Sequence, residues 1–180
     1  GKFVVDEFSP KEDWHGPYQG LDFGFAQDPT AAVRCWVHND ELYVEHEAGK
    51  IGLELDETAP FLMKNIPDFE KYVERADSAR PESISFLRRH GLGRIEPVSK
   101  WSGSVEDGIE HIKSYKRVVI HPRCENTARE FRLYSYKVDK KSGDILPIVL
   151  DQNNHYIDAL RYALNPLIRT NNAAGLLLSS

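Results

Sequence analysis

The chain has 180 residues, 41% hydrophobic and 28% charged, ordinary proportions for one globular domain with a real core. No apolar run approaches the ~18–20 residues that span a bilayer, so a membrane-spanning role has no candidate segment. The net charge of −5 argues against a uniformly basic nucleic-acid binder, but the acidity is uneven: residues 1–90 carry 10 Lys and Arg against 18 Asp and Glu, and residues 91–180 carry 13 against 10. Cys35 and Cys124 are far apart, with no CxxC spacing and no apolar leader. Free thiols and a reducing intracellular compartment are expected. The chain opens on Gly1 and its one methionine is Met63, which reads as a fragment or a processed product.

Residues 1–17 mix charge, proline and aromatics without a period, and are expected to be a linker or docked arm. Three strands follow, "YQGLDFGFA", "AAVRCWVH" and "ELYVEHEAG", with "ND" as a tight hairpin turn between the last two. They predict an antiparallel meander. "DETAPFLMKNIPDF" reads as a helix or broken helix pair, "KYVERAD" as a strand ending at Asp77, and "RPESISFLRRHG" as a helix entered at Pro81 and stopped at Gly91. Then come "RIEPV" as strand, "SVEDGIEHIKSY" as a helix opened by a Ser104-to-Asp107 capping pattern, "RVVIH" as strand, and "PRCENTAREFRLY" as a helix entered through Pro122. "YSYKVD" and "ILPIVL" around "KKSGD" predict a hairpin over residues 133–149, ahead of a last helix at about 153–165. The order predicts an α/β mixed sheet: a three-strand meander, parallel strands beside it, helices on the faces, and an extra β-hairpin.

Three acids stand out by their surroundings. Asp22 interrupts an apolar strand and shares a face with Gly20 and Gly24, so it must be paired, metal-bound or at an edge. The small neighbours let a ligand approach closely. Asp77 sits where a strand gives way to a loop, the end at which sites form in α/β sheets, although a helix N-cap is an equally good reading. Asp158 lies in the last helix beside the stripe of Ile157, Leu160, Arg161 and Leu164, with Asn154, His155 and Tyr162 on its own face; a surface pairing with Arg161 is the alternative. Were the three to converge, their repulsion would call for divalent cations. Hard oxygen donors without a Cys or His framework suit Mg2+ or Mn2+ rather than zinc, and two such ions serve phosphodiester hydrolysis. "HPRC" at 121–124 has no second pair to complete a zinc site. Trp36, Tyr43, Phe61 and Phe86 read as core.

"GLDFGFAQDPTAAV", "ADSARPESISFLRRHG", "VSKWSGSVEDGIEHIKSYKRVVIHPRC" and "NNHYIDALRYAL", in that order over about residues 18–165, resemble the nuclease domain of the large terminase subunit of tailed bacteriophages, of the headful-packaging type. The resemblance implies a ribonuclease H-like fold and a low-specificity endonuclease that cuts concatemeric double-stranded viral DNA during packaging. It puts the catalytic and metal-holding acids on Asp22, Asp77 and Asp158, with two Mg2+ or Mn2+ ions. A further acid common in the family falls on Arg80 here, and "NNH" replaces an Asp-His pair, so Asn154 has no metal role and His155 supports the ligands from behind.

It also implies an ATPase motor in the same polypeptide, whose GxxxxGK[ST] loop does not occur in this sequence, and a portal protein and small terminase subunit as partners. Residues 1–17 would then link to that motor, 18–168 form the nuclease, and 169–180 a tail. The setting would be the host bacterial cytoplasm, at the procapsid, with no membrane partner. Lys113, Lys116, Arg129, Arg132, Lys137, Lys140 and Lys141 are candidate DNA contacts through phosphates. Two rivals are a resolvase or integrase-like nuclease of the same fold, and a non-catalytic docking module whose "GLLLSS" tail binds the motor or portal.

Overall fold

The computed structural model describes residues 3–140 and 154–168, with side chains as far as Tyr134 in the first segment. Its strands are β1 (Phe3–Val5), β2 (His15–Asp22), β3 (Pro29–His38), β4 (Glu41–Ile51), β5 (Glu74–Ala76), β6 (Glu96–Pro97) and β7 (Val118–Ile120). The helices are α1 (Leu55–Asn65), α2 (Pro81–Arg89), α3 (Ser104–Ser114), α4 (Glu125–Lys140) and α5 (His155–Ala163), with a 3-10 turn at Phe69–Lys71. Among the described residues no helix is long and apolar enough to cross a membrane.

The turn between β3 and β4 sets the middle of the sheet. Asn39 and Asp40 have φ of 50° and 61°, the left-handed pair of a type I′ hairpin turn. β3 pairs antiparallel with β4 from Pro29 to His38 and, on its other edge, with β2. β7 and then β1 add in parallel to β4, β5 and then β6 add in parallel to β2, and the seven-stranded order is β1-β7-β4-β3-β2-β5-β6. This is the expected meander with parallel flanks.

α3, α4 and α5 cover one face, where Val33, Cys35, Leu42, Val44 and Ile120 meet Ala159, Leu160 and Ala163. α1 and α2 cover the other, where Leu21, Ala32 and Ala48 meet Leu62, Ile84 and Leu87. α5 lies directly on β2, and Gly20 makes that possible: a Cβ there would stand 1.8 Å from the Ala159 carbonyl oxygen.

Several elements differ from expectation. Part of the opening arm joins the sheet as β1, and its Phe8 and Trp14 pack on Tyr43 with ring centroids 5.1 and 4.3 Å away. β2 stops at Asp22 because Thr30 Oγ1 bonds both the N–H and the carbonyl of Gly24 and turns the chain. The Ser104–Asp107 cap does not form: Gly103 is the N-cap, and Asp107 Oδ2 instead accepts the Trp101 indole N–H at 2.7 Å. α4 begins at Glu125 rather than Pro122, because Glu47 of β4 accepts the N–H groups of Asn126 and Thr127 at 3.0 and 2.8 Å. It then runs on to Lys140, so residues 134–139 are helix and not the first strand of a hairpin; periodicity there fits both. The second strand expected at 145–150 and the tail at 169–180 lie outside the described residues. Phe61 and Phe86 pack partly buried against the α1/α2 core, and Trp36 is half-buried with its N–H on Glu45. Both cysteines are buried and free.

Candidate metal centre

The parallel pairing of β2 with β5 runs Gln19↔Glu74, Gly20↔Arg75, Leu21↔Ala76. One residue further stand Asp22 and Asp77, side by side at the carboxyl ends of adjacent strands whose backbones lie roughly 4.8 Å apart. From the face above, the contact of α5 with Gly20 sets Asp158, the neighbour of Ala159, over the same strand ends. The three acids distant in the chain therefore come together.

Their mutual influence is electrostatic as well as geometric. Burial pushes the Asp22 carboxyl up, the neighbouring His155 draws it down, and Asp77 pushes it up again. Asp158 is pushed up to about 6, mainly by burial, with Arg161 opposing and Asp22 reinforcing. Burial also acts to raise Asp77, but the Lys100 ammonium and the Ala79 N–H outweigh it and hold this carboxyl below its ordinary value. Tyr162 records the convergence: beyond burial, its hydroxyl is held protonated by Asp22, Asp77 and Asp158 together.

Each acid has a donor. His155 Nδ1 lies 3.7 Å from Asp22 Oδ2 and its Nε2 lies 3.4 Å from Asp28 Oδ1. The nearby Asp22 carboxylate, against burial, raises the imidazole toward its charged form. Lys100 Nζ bonds Asp77 Oδ1 at 2.6 Å, and Ala79 N–H bonds the same oxygen at 2.9 Å. Arg161 Nη2 bonds Asp158 Oδ1 at 2.9 Å. As these side chains stand, no three His, Cys, Asp or Glu among the described residues are grouped tightly enough to hold one ion. The donor chemistry nonetheless fits a hard dication: three carboxylates gathered in one half-buried place, two of them already facing cations, are a set whose repulsion positive charge relieves.

α5 has no cap of its own. Asn154 makes no side-chain cap hydrogen bond, and Glu130 of α4 accepts the N–H groups of Tyr156 and Ile157, both at 2.9 Å. Burial pushes the Glu130 carboxyl up to about 7 in spite of those bonds. Glu47 thus holds α4, and Glu130 of α4 holds the helix that carries His155 and Asp158. Neither role was legible in the sequence, because both caps reach across about 80 and 26 residues. Asp28 and Lys100 were missed for the same reason.

The predicted basic contacts scatter. Lys116 donates its backbone N–H to Asp40 O, at the end of the sheet opposite Asp22, and Lys113 pairs with Glu110. Arg129 lines a groove of about 440 Å3 with Lys50, Glu130 and His155; Arg132 is exposed on α4. Lys137 and Lys140 have their backbone in α4 but side chains outside the described residues, as is all of Lys141.

Residues 22–166 match the family model of the terminase RNase H-like domain. The large terminase subunit of Bacillus phage SPP1 is 41% identical over 150 residues, 81% of this chain and 35% of that protein. The PBSX phage terminase large subunit of Bacillus subtilis strain 168 is 32% identical over 148 residues, 81% of this chain and 33% of that one. The chain thus spans about a third of the length of these curated relatives. The nuclease domain of the SPP1 large terminase, solved with bound Mn, superposes with a TM-score of 0.75 at 36% identity, covering 91% of this chain and 95% of that one. The P22 large terminase nuclease domain shares the fold, with a TM-score of 0.66 at 17% identity over 91% and 86% of the two chains.

Proposed function

The chain belongs to the terminase RNase H-like domain family, and from that premise we propose that it is a divalent-metal-dependent endonuclease that cuts concatemeric double-stranded viral DNA, with little sequence preference, during genome packaging. The observation that carries the reading is the meeting of Asp22, Asp77 and Asp158 from two adjacent strand ends and one helix.

In this reading the three carboxylates hold Mg2+ or Mn2+. Two such ions, when bound, supply an activated water and stabilise the departing oxygen of a phosphodiester. The chain's own residues do the rest. Asp22 at the end of β2 and Asp77 just beyond β5 have their backbones set side by side by the parallel pairing of the two strands. His155, drawn toward its charged form by Asp22, braces Asp22 and Asp28 without ligating. Glu130 fixes the entry of α5, and with it the height of Asp158 over β2. Lys100 and Arg161 must leave Asp77 and Asp158 to the ions, so metal binding competes with two ion pairs already present. Mn bound to the SPP1 nuclease domain supports this choice of ion.

The motor domain of the same polypeptide, the portal protein and the small terminase subunit are its partners, and the host cytoplasm at the procapsid its place of work. Incubating plasmid with the chain and Mn2+, with and without EDTA, tests the proposal. Metal-dependent cutting that Asp22→Ala abolishes is expected. Equal cutting by Asp22→Ala would overturn it. Preference for a four-way junction over linear duplex would point to a resolvase of the same fold, and intact plasmid without Mn2+ binding to a docking module.

A further inference from the structure

On one flank of the acids, α5 and the start of α3 enclose a cavity of about 110 Å3, lined by Lys100, Trp101, Ser104, Arg161, Tyr162 and Asn165 among others. Several times the ~30 Å3 share of one water, it has room for a tetrahedral oxyanion. Among the described residues its charged lining residues are Lys100 and Arg161. The Arg161 side chain is only 10% exposed, and its Nε is buried without a hydrogen-bond partner. The residue reaches the cavity wall, and a charged donor left unmade leaves the pairing of its guanidinium incomplete. Gly108 of α3 admits the guanidinium stem: a Cβ there would lie 2.7 Å from Arg161 Cδ. The first turn of α3, at Ser104, adds the partial positive charge of an 11-residue helix with no side-chain cap. Asp107 in that turn is engaged by the Trp101 indole.

Both cations face two ways. One side of each meets an acid of the candidate metal centre, Lys100 to Asp77 and Arg161 to Asp158; the other side meets the cavity. We propose that this cavity is a phosphate site that takes a backbone phosphodiester of the DNA strand next to the one at the acids, with Lys100 and Arg161 as its donors. The proposal rests on the nuclease reading above and adds a second anchor to it. When dications neutralise Asp77 and Asp158, the two cations lose their partners there and turn to the phosphate. Metal and DNA then favour each other's binding, and the coupling is reciprocal.

The test is fluorescence anisotropy of a labelled duplex across a KCl series in Ca2+, with a gel to confirm that the duplex stays whole. Lys100→Gln and Arg161→Gln should each weaken binding and reduce the slope of log K against log salt by about 0.9, the value of one phosphate contact. Lys71→Gln, on the exposed 3-10 turn, should leave the slope unchanged. An unchanged slope in Lys100→Gln overturns the proposal, and because Lys100 is half-exposed that variant stays informative even if Arg161→Gln unfolds. Inorganic phosphate is the second probe: if it stabilises the wild type through Lys100 and Arg161 while the duplex slopes do not move, the cavity holds a free anion and the proposal also falls. Mn2+ binding to Asp22→Asn, followed by electron paramagnetic resonance, separates the two claims. Wild-type affinity in that variant removes the metal reading, whereas lost affinity with unchanged duplex slopes removes only the phosphate site.

Discussion

Around α5, carboxylates near the sheet are held by donors: Asp22 by His155, Asp158 by Arg161, Glu130 by two backbone N–H groups. On the α1/α2 face, Glu74 is 0% exposed and neither of its oxygens has a hydrogen-bond partner. Yet Glu74, which opens β5, lies only three residues before Asp77 just past its end, and stands opposite Gln19, whose amide group ties Arg34 to the Phe69 carbonyl. Burial, reinforced by Glu70 and only partly opposed by Arg94, pushes its carboxyl up to about 8. The difference teaches that one strand can present an acid as a charge just past its end and bury another as a neutral group at its start. What decides is whether the covering layer brings a donor.

The comparison can be broken hardest at Gly20. Gly20→Val would drive a branched side chain into the Ala159 carbonyl and lift α5 from β2, at a cost of about 3 kcal/mol or more, with loss of Mn2+ binding. Urea unfolding and metal titration measure both; a stable variant with wild-type Mn2+ affinity would mean that α5 does not depend on this contact.

Glu74→Gln probes the other face and should stabilise by roughly 1–3 kcal/mol at high pH. Because the folded-state value of about 8 lies above the ordinary 4.5, the folded state binds more protons between them, and wild-type stability falls as pH rises through that window. The gain from Glu74→Gln should therefore be large at pH 9 and shrink toward pH 5. Thermal melts at the two pH values check it, and a gain of the same size at both contradicts the neutral assignment.

Glu130→Ala removes the cap of α5 and should cost about 0.5–2 kcal/mol, together with weaker Mn2+ binding. Glu130→Gln keeps an acceptor oxygen and should recover most of both. At the smallest end, Lys71→Ala breaks an exposed pair with Asp68 and should shift stability by less than about 0.5 kcal/mol.

Local pattern carried far in this chain. The Asn39–Asp40 turn, the meander, the α1, α2 and α3 spans and the placement of Asp22 on the Gly20 face all follow from short-range rules, since turn chemistry and a period of two need no distant partner. Failures came where two local signals compete or a distant group overrides one. Ser104 has the spacing of a cap, but Gly103 takes that place and Trp101 takes Asp107. The basic residues chosen as DNA contacts read as one set, but Lys116 lies at the Asp40 end of the sheet and Arg129 lies in the groove with His155. Residues 134–139 alternate well enough for a strand, and α4 carries them on as helix.

By itself the sequence determined the alternation of elements, the apolar faces, and that Asp22 lacks a local excuse, because each depends on neighbours within a few residues. Only the tertiary structure decided that β2 and β5 run in parallel with Asp22 and Asp77 in step, that Gly20 lets α5 bring Asp158 within their field, and that Glu130, Lys100 and Arg161 supply the donors. Charges act through space at a few ångströms. The chain order of residues 22, 77, 100, 130, 158 and 161 holds no measure of those distances until the sheet closes.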